Sequence, residues 1–90
     1  MAKYVISYDY HQQRDYAALY ALLAKWKAKR ILESLWFANL NGTAKAVLDN
    51  LIKAGDKDDC FVVVELQADG DWAHSAGVQK SGADWLAANI

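Results

Sequence analysis

A single cysteine, Cys60, in a chain of 90 residues is the feature that most narrows what this sequence can fold into. No internal disulfide can form and no Cys/His spacing suits a structural zinc, so neither staple used by small domains is present. A chain of this length buries only roughly 60% of the surface its unfolded form exposes. It has room for one domain, residues 1–90, and a second copy of the chain is the expected supplement to its core. Four Trp and five Tyr are far more aromatic side chain than a disordered chain carries.

The start of the chain, Met1-Ala2-Lys3-Tyr4, leads into a strand-like stretch holding Ser7 and Asp9, unlike the apolar core of a signal peptide. No apolar run approaches the roughly 20 residues of a membrane helix. The expectation is a cytoplasmic protein with no membrane partner. The formal net charge of −1 hides a segregation. Residues 1–53 carry eight Lys/Arg against four Asp/Glu, and residues 54–90 carry two against seven.

Residues 3–10 are rich in β-branched and aromatic types and predict a strand. A polar loop, His11 to Arg14, follows, with Asp15 placed to cap a helix whose apolar face is Tyr16, Leu19, Tyr20, Leu23 and Trp26. Residues 30–40 alternate, which fits one long strand or two strands joined by a tight bend near Ser34. Asn41-Gly42-Thr43 predicts a turn, with Thr43 capping a helix over about 44–54 that buries Ala44, Val47, Leu48 and Leu51 and stops at Gly55. Asp56 to Asp59 predicts a solvated turn. Cys60 to Leu66 is the most apolar strand, expected at the centre of the sheet with Cys60 as a small core residue. An irregular stretch then leads to a short helix over about 82–89 that buries Trp85 and Leu86. The order predicts an α+β, ferredoxin-like β-α-β(β)-α-β sandwich. Its core is about 3–66, with one helical layer and an extra C-terminal segment, 67–90; the open sheet face is to be covered in a homodimer.

Asp9, ending an apolar first strand, is the foremost candidate site residue: a carboxylate at an exposed sheet end can hold Mg²⁺ or Mn²⁺ through hard oxygen ligation. The competing reading is an Asp that bonds its own loop. One carboxylate makes a poor cation site, but a two-fold dimer can bring two copies together. Ser34 is a candidate phosphate or water ligand, set against a small polar residue at a bend. His11 is a candidate acid or base, set against a solvated loop His. Arg14, Lys25, Lys27, Lys29 and Arg30 form the nucleic-acid candidate, set against complementation of a helix dipole. Trp36, Phe37, Trp72 and Trp85 are candidates for stacking on bases or a nucleotide ring, set against packing. Trp36 and Phe37 point to opposite sheet faces.

Tyr4-Val-Ile-Ser-Tyr-Asp9 as a first strand, then a helix, then Arg30-Ile-Leu-Glu-Ser-Leu-Trp-Phe37, with Asp58-Asp59-Cys60-Phe-Val-Val-Val-Glu-Leu66 later, resembles the small CRISPR-associated adaptation proteins, the Cas-two family. The resemblance covers about 3–66. It implies a ferredoxin-like homodimer with the two Asp9 side chains facing each other across the two-fold axis. It further implies either Mg²⁺-dependent cleavage of RNA or DNA by water, or a non-catalytic scaffold for duplex DNA; virulence-associated toxin-type ribonucleases are among the relatives. The sparse basic residues, the net charge of −1 and the tail with Trp72, His74 and Trp85 differ from the family pattern. A stand-alone relative is therefore expected. The alternative from another class is a non-catalytic binding module for a nucleotide, a small ligand or a protein partner, as in an anti-defence or scaffold role.

Overall fold

The computed structural model describes residues 1–9, 15–55 and 59–90. The elements are β1 (Ala2–Tyr8), α1 (Ala17–Lys25), β2 (Lys29–Leu32), β3 (Leu35–Leu40), α2 (Ala44–Ala54), β4 (Phe61–Leu66) and α3 (Lys80–Asn89). The four strands form one sheet in the order β2-β3-β1-β4, every neighbouring pair antiparallel. This α+β arrangement is compatible with a ferredoxin-like fold. The predicted loop 11–14 and most of the predicted turn 56–59 lie outside the described residues.

Local chemistry accounts for most element ends. Asp15 Oδ1 accepts from Ala17 N at 2.9 Å, opening α1. The helix closes with Lys27 N donating to Ala24 O and Ala28 N to Leu23 O, a pairing that puts Lys27 at φ 58° in the seat usually given to Gly. Residues 30–40 form two strands joined by the two-residue turn Glu33-Ser34, which settles the choice the alternation left open. Thr43 caps α2 by accepting from Ala46 N at 3.2 Å, and Gly42 at φ +101° supplies the left-handed backbone of the turn before it. Gly55 ends α2 for a different reason from the one expected. Its φ is −92°, so no left-handed backbone is involved, and a Cβ there would stand 2.8 Å from the Phe61 ring, whose tip packs against the glycine.

One face of the sheet is the main core. Tyr4, Ile6 and Tyr8 of β1 and Ala38 and Leu40 of β3 pack against Leu19 and Leu23 of α1 and Val47 and Leu51 of α2. A single helical layer is not the whole arrangement, however. The C-terminal helix α3 crosses to the opposite face and seats Trp85 and Leu86 on Ile31 and Phe37. Trp85 lies flat on Phe37, centroids 4.9 Å apart and planes within 7°, and its Nε1 donates to Asn39 Oδ1 at 2.7 Å. Gly82 allows this approach: a Cβ there would fall 2.3 Å from Ile31 Cβ and 2.7 Å from Arg30 O. Gln79 N donates to Ile31 O, and Ser81 Oγ to Arg30 O, each at 3.0 Å, so the segment closes the outer edge of β2.

Two expectations for the last strand are corrected. β4 is an edge strand, and the inner strands are β3 and β1, the latter paired on both sides from Lys3 to Ser7. Its apolarity comes from serving two faces: Phe61 and Val63 pack towards the helices, while Val62 and Val64 remain 60% and 48% exposed on the face α3 leaves open. Cys60, just outside the strand, is exposed and takes no part in the core.

Candidate functional site

The end of the sheet that carries Asp9 is organised by the backbone. Asp9 N donates to Cys60 O at 3.3 Å, Tyr8 N donates to Ser34 O at 3.2 Å, and Tyr16 Oη donates to Asp9 O at 3.2 Å. Asp9 and Ser34 therefore lie at one end of the sheet, with the Asp9 side chain exposed. His11 and Arg14 lie outside the described residues. Among the described residues no three His, Cys, Asp or Glu side chains gather to hold a metal ion. Mg²⁺ and Mn²⁺ take an octahedron of oxygens, and Asp9 alone supplies one carboxylate towards it.

Of the described basic candidates, the three lysines stand away from this end and Arg30 reaches its Glu33-Ser34 turn. Lys29 pairs with Phe37, which pairs with Val5, so Lys29 stands four residues below Asp9 and two strands away, roughly 13 Å along the strands and 10 Å across them. Lys25 and Lys27, both exposed, precede it at the exit of α1. Arg30 turns to the helical face, its guanidinium 5.1 Å from the ring centroids of both Tyr20 and Trp36. It donates to Tyr20 Oη at 3.1 Å and, through Nε, to Glu33 O at 2.9 Å, with Nη2 also on Glu33 O. Such a guanidinium, stacked and hydrogen-bonded, braces the β2–β3 turn.

Arg30 belongs to an aromatic network that ties α1 to the sheet. Tyr8 packs on Tyr16 and Phe61, and Tyr20 on Tyr16 and Trp36, with centroids 5.7 to 6.0 Å apart. Trp36 Nε1 donates to Tyr8 Oη at 3.1 Å, and Tyr8 Oη donates in turn to Glu33 O at 3.4 Å. Burial pushes the Tyr8 phenol up to about 12, against the opposing pull of the Trp36 hydrogen bond. A phenol held neutral this firmly is a structural donor and acceptor.

A concavity lies elsewhere, on the sheet face that α3 shares. A groove of about 440 Å³ runs between the open half of the sheet, α3 and the strap 67–79; Val5, Leu35, Phe37 and Leu66 form its floor, with Trp72 and Ile90 on its walls. Asp71, His74 and Ser75 stand along its strap side. Trp72, 37% exposed, stacks on the His74 ring at 6.0 Å and 13°, and His74 Nδ1 lies 2.9 Å from Ser75 O. Of the four aromatic stacking candidates, Trp36 is engaged with Tyr8 and Arg30, and Phe37 with Trp85; Trp72 alone keeps a large exposed surface. The groove was not foreseen from the sequence, because the face taken by α3 is decided by Gly82 and Asn39 at a distance in the chain. Its signal was the apolar alternate set Val5, Val62, Val64 and Leu66 on the face expected to be covered by a second copy.

No protein-family model matches the chain, and no curated protein or solved structure matches it. No helix among the described residues is long and apolar enough to cross a membrane.

Proposed function

We propose that this chain is a non-catalytic binding module built on a ferredoxin-like sheet, with the groove between the open sheet half and the C-terminal segment as its ligand seat. The observation that carries the reading is the groove itself. Its volume of about 440 Å³ falls in the range of small-ligand sites, and apolar walls with a few polar groups at one side are the usual make-up of such sites. Exposed Val62 and Val64 beside it extend the apolar surface on which a ligand gains burial. The test is titration with Nile red, a neutral apolar dye. Wild type is expected to enhance its emission, and a chain carrying Leu66→Gln and Trp72→Ala to lose that enhancement while still unfolding cooperatively. No enhancement in wild type, or the same enhancement in the variant, overturns the reading.

A second reading follows the Cas-two resemblance and is favoured by the exposed Asp9 at the end of β1, beside the Ser34 turn. In it two chains pair so that both Asp9 carboxylates hold Mg²⁺ or Mn²⁺, Lys25, Lys27 and Lys29 meet nucleic-acid phosphates, and water hydrolyses RNA or DNA phosphodiesters. Sedimentation gives the oligomeric state. Incubation with labelled RNA and DNA plus either cation gives the activity; equal cleavage by wild type and Asp9→Ala removes Asp9 from that role.

A further inference from the structure

Resting on the binding-module reading, we infer that the groove selects a small amphiphile with an apolar, ring-bearing body and a cationic ammonium head, and discriminates against anions. The body is set by size and lining. A cavity of roughly 150 Å³ suffices for benzene, so about 440 Å³ accommodates a ring, a short chain and a head group. The floor of Val5, Leu35, Phe37 and Leu66 offers no hydrogen bond from its side chains.

Charge sets the head. Among the described residues no Lys or Arg lines the groove, and its one acidic side chain is Asp71. Asp71 Oδ1 accepts from Trp72 N at 3.1 Å, which ties the carboxylate to the backbone of the strap, next in sequence to the exposed Trp72. A carboxylate has about four acceptor positions, and an ammonium gains both from it and from a neighbouring aromatic ring. The adjoining stretch 65–71 adds Glu65 and Asp69 and contains no basic residue. Lys3 and Lys29 share this sheet face by register with Val5 and Phe37, but neither lines the groove. Lys80, at the start of α3, is bound to Asp84 at 2.7 Å, and Arg30 is engaged on the opposite face. A phosphate or carboxylate entering here meets the Asp71 charge with no Lys or Arg among the described lining residues to receive it, so the groove disfavours anionic ligands.

The test uses three probes with one body: 4-phenylbutylammonium, 4-phenylbutan-1-ol and 4-phenylbutanoate, titrated calorimetrically into the full chain at low salt. The ammonium is expected to bind about tenfold more tightly than the butanoate, a gap that narrows in 0.5 M NaCl as an exposed charge pair should. Asp71→Asn is expected to bring the ammonium down to the affinity of the alcohol and to leave the alcohol unchanged. Butanoate binding as tightly as the ammonium, or an ammonium affinity unmoved by Asp71→Asn, overturns the charge selection and leaves the groove reading standing. Binding of none of the three by wild type overturns both.

Discussion

Replacing Gly82 with Ala tests how α3 is held. The added Cβ falls 2.3 Å from Ile31 Cβ and 2.7 Å from both Ile31 Cα and Arg30 O. None of these atoms can rotate away, because two are backbone and the third is a Cβ. Restoring an ordinary carbon–carbon separation of roughly 3.7 Å means lifting α3 from β2 by about 1.4 Å. That displacement strains or breaks the bonds from Gln79 N to Ile31 O and from Ser81 Oγ to Arg30 O, both 3.0 Å, each contributing about 1 kcal/mol net. Overpacking adds about 1–3 kcal/mol, while Ala in place of Gly in a helix returns about 1 kcal/mol. The balance is a loss of about 2–4 kcal/mol, or roughly 10–20 °C in Tm for a domain of this size. Urea unfolding followed by near-ultraviolet dichroism measures it, since the stacked Trp85–Phe37 pair sits in the displaced interface. Gly77→Ala is the control: with φ +91° and nothing within 4 Å, it registers backbone strain without a clash. A Gly82→Ala protein as stable as wild type, or more stable, refutes the seating of α3 against β2.

Lys27→Gly is expected to stabilise the chain by about 0.5–1 kcal/mol, because Lys27 occupies a left-handed position at φ 58° that costs a side chain about that much; a lower urea midpoint contradicts this. Thr43→Ala should cost about 1 kcal/mol through loss of the cap on Ala46 N, read from the same unfolding curves. The Tyr8 phenol, raised by burial to about 12 from an ordinary 10, makes stability fully present below pH 10 and progressively lost as pH rises towards 12, since the unfolded chain gives up that proton first. Urea midpoints at pH 9 and 11 measure the fall, and Tyr8→Phe should flatten it. The exposed thiol of Cys60 is expected to react with a disulfide reagent in the native protein about as fast as in the unfolded one; strong protection would place it in the core.

What the sequence revealed was local, and what it concealed was long-range. Thr43, Asp15 and the 44–54 spacing announce their helix ends because each acts within four residues. The break at Ser34 was visible as one of two options, since a two-residue turn barely disturbs alternation. Cys60 to Leu66 misled because apolarity along a strand does not show that both long edges are paired, and here Val62 and Val64 stay exposed on one face. Trp85 and Leu86 were readable as buried, but nothing near them states which sheet face receives them; that depends on Gly82 meeting Ile31 and on Trp85 meeting Asn39, 51 and 46 residues away in the chain. Among the candidate site residues, Asp9 and Ser34 share a sheet end, whereas Arg30, equally conspicuous as a charge, is absorbed by Tyr20 and Trp36.

The two long edges of the sheet differ in a way that governs growth. The β2 edge is occupied by Gln79 and Ser81 and is interrupted by a register shift between Arg30 and Leu32. β4, Phe61 to Leu66, has no Lys, no Pro and an unbroken register with β1, and Glu65 is its single charge, so it carries fewer of the devices that deter strand addition. A sheet with one receptive side and one sealed side can be extended once. Two copies joined along β4 would present only sealed sides, so the assembly is self-terminating, and opening the seal at Gln79–Ser81 is the change that would turn a finite pair into a fibre.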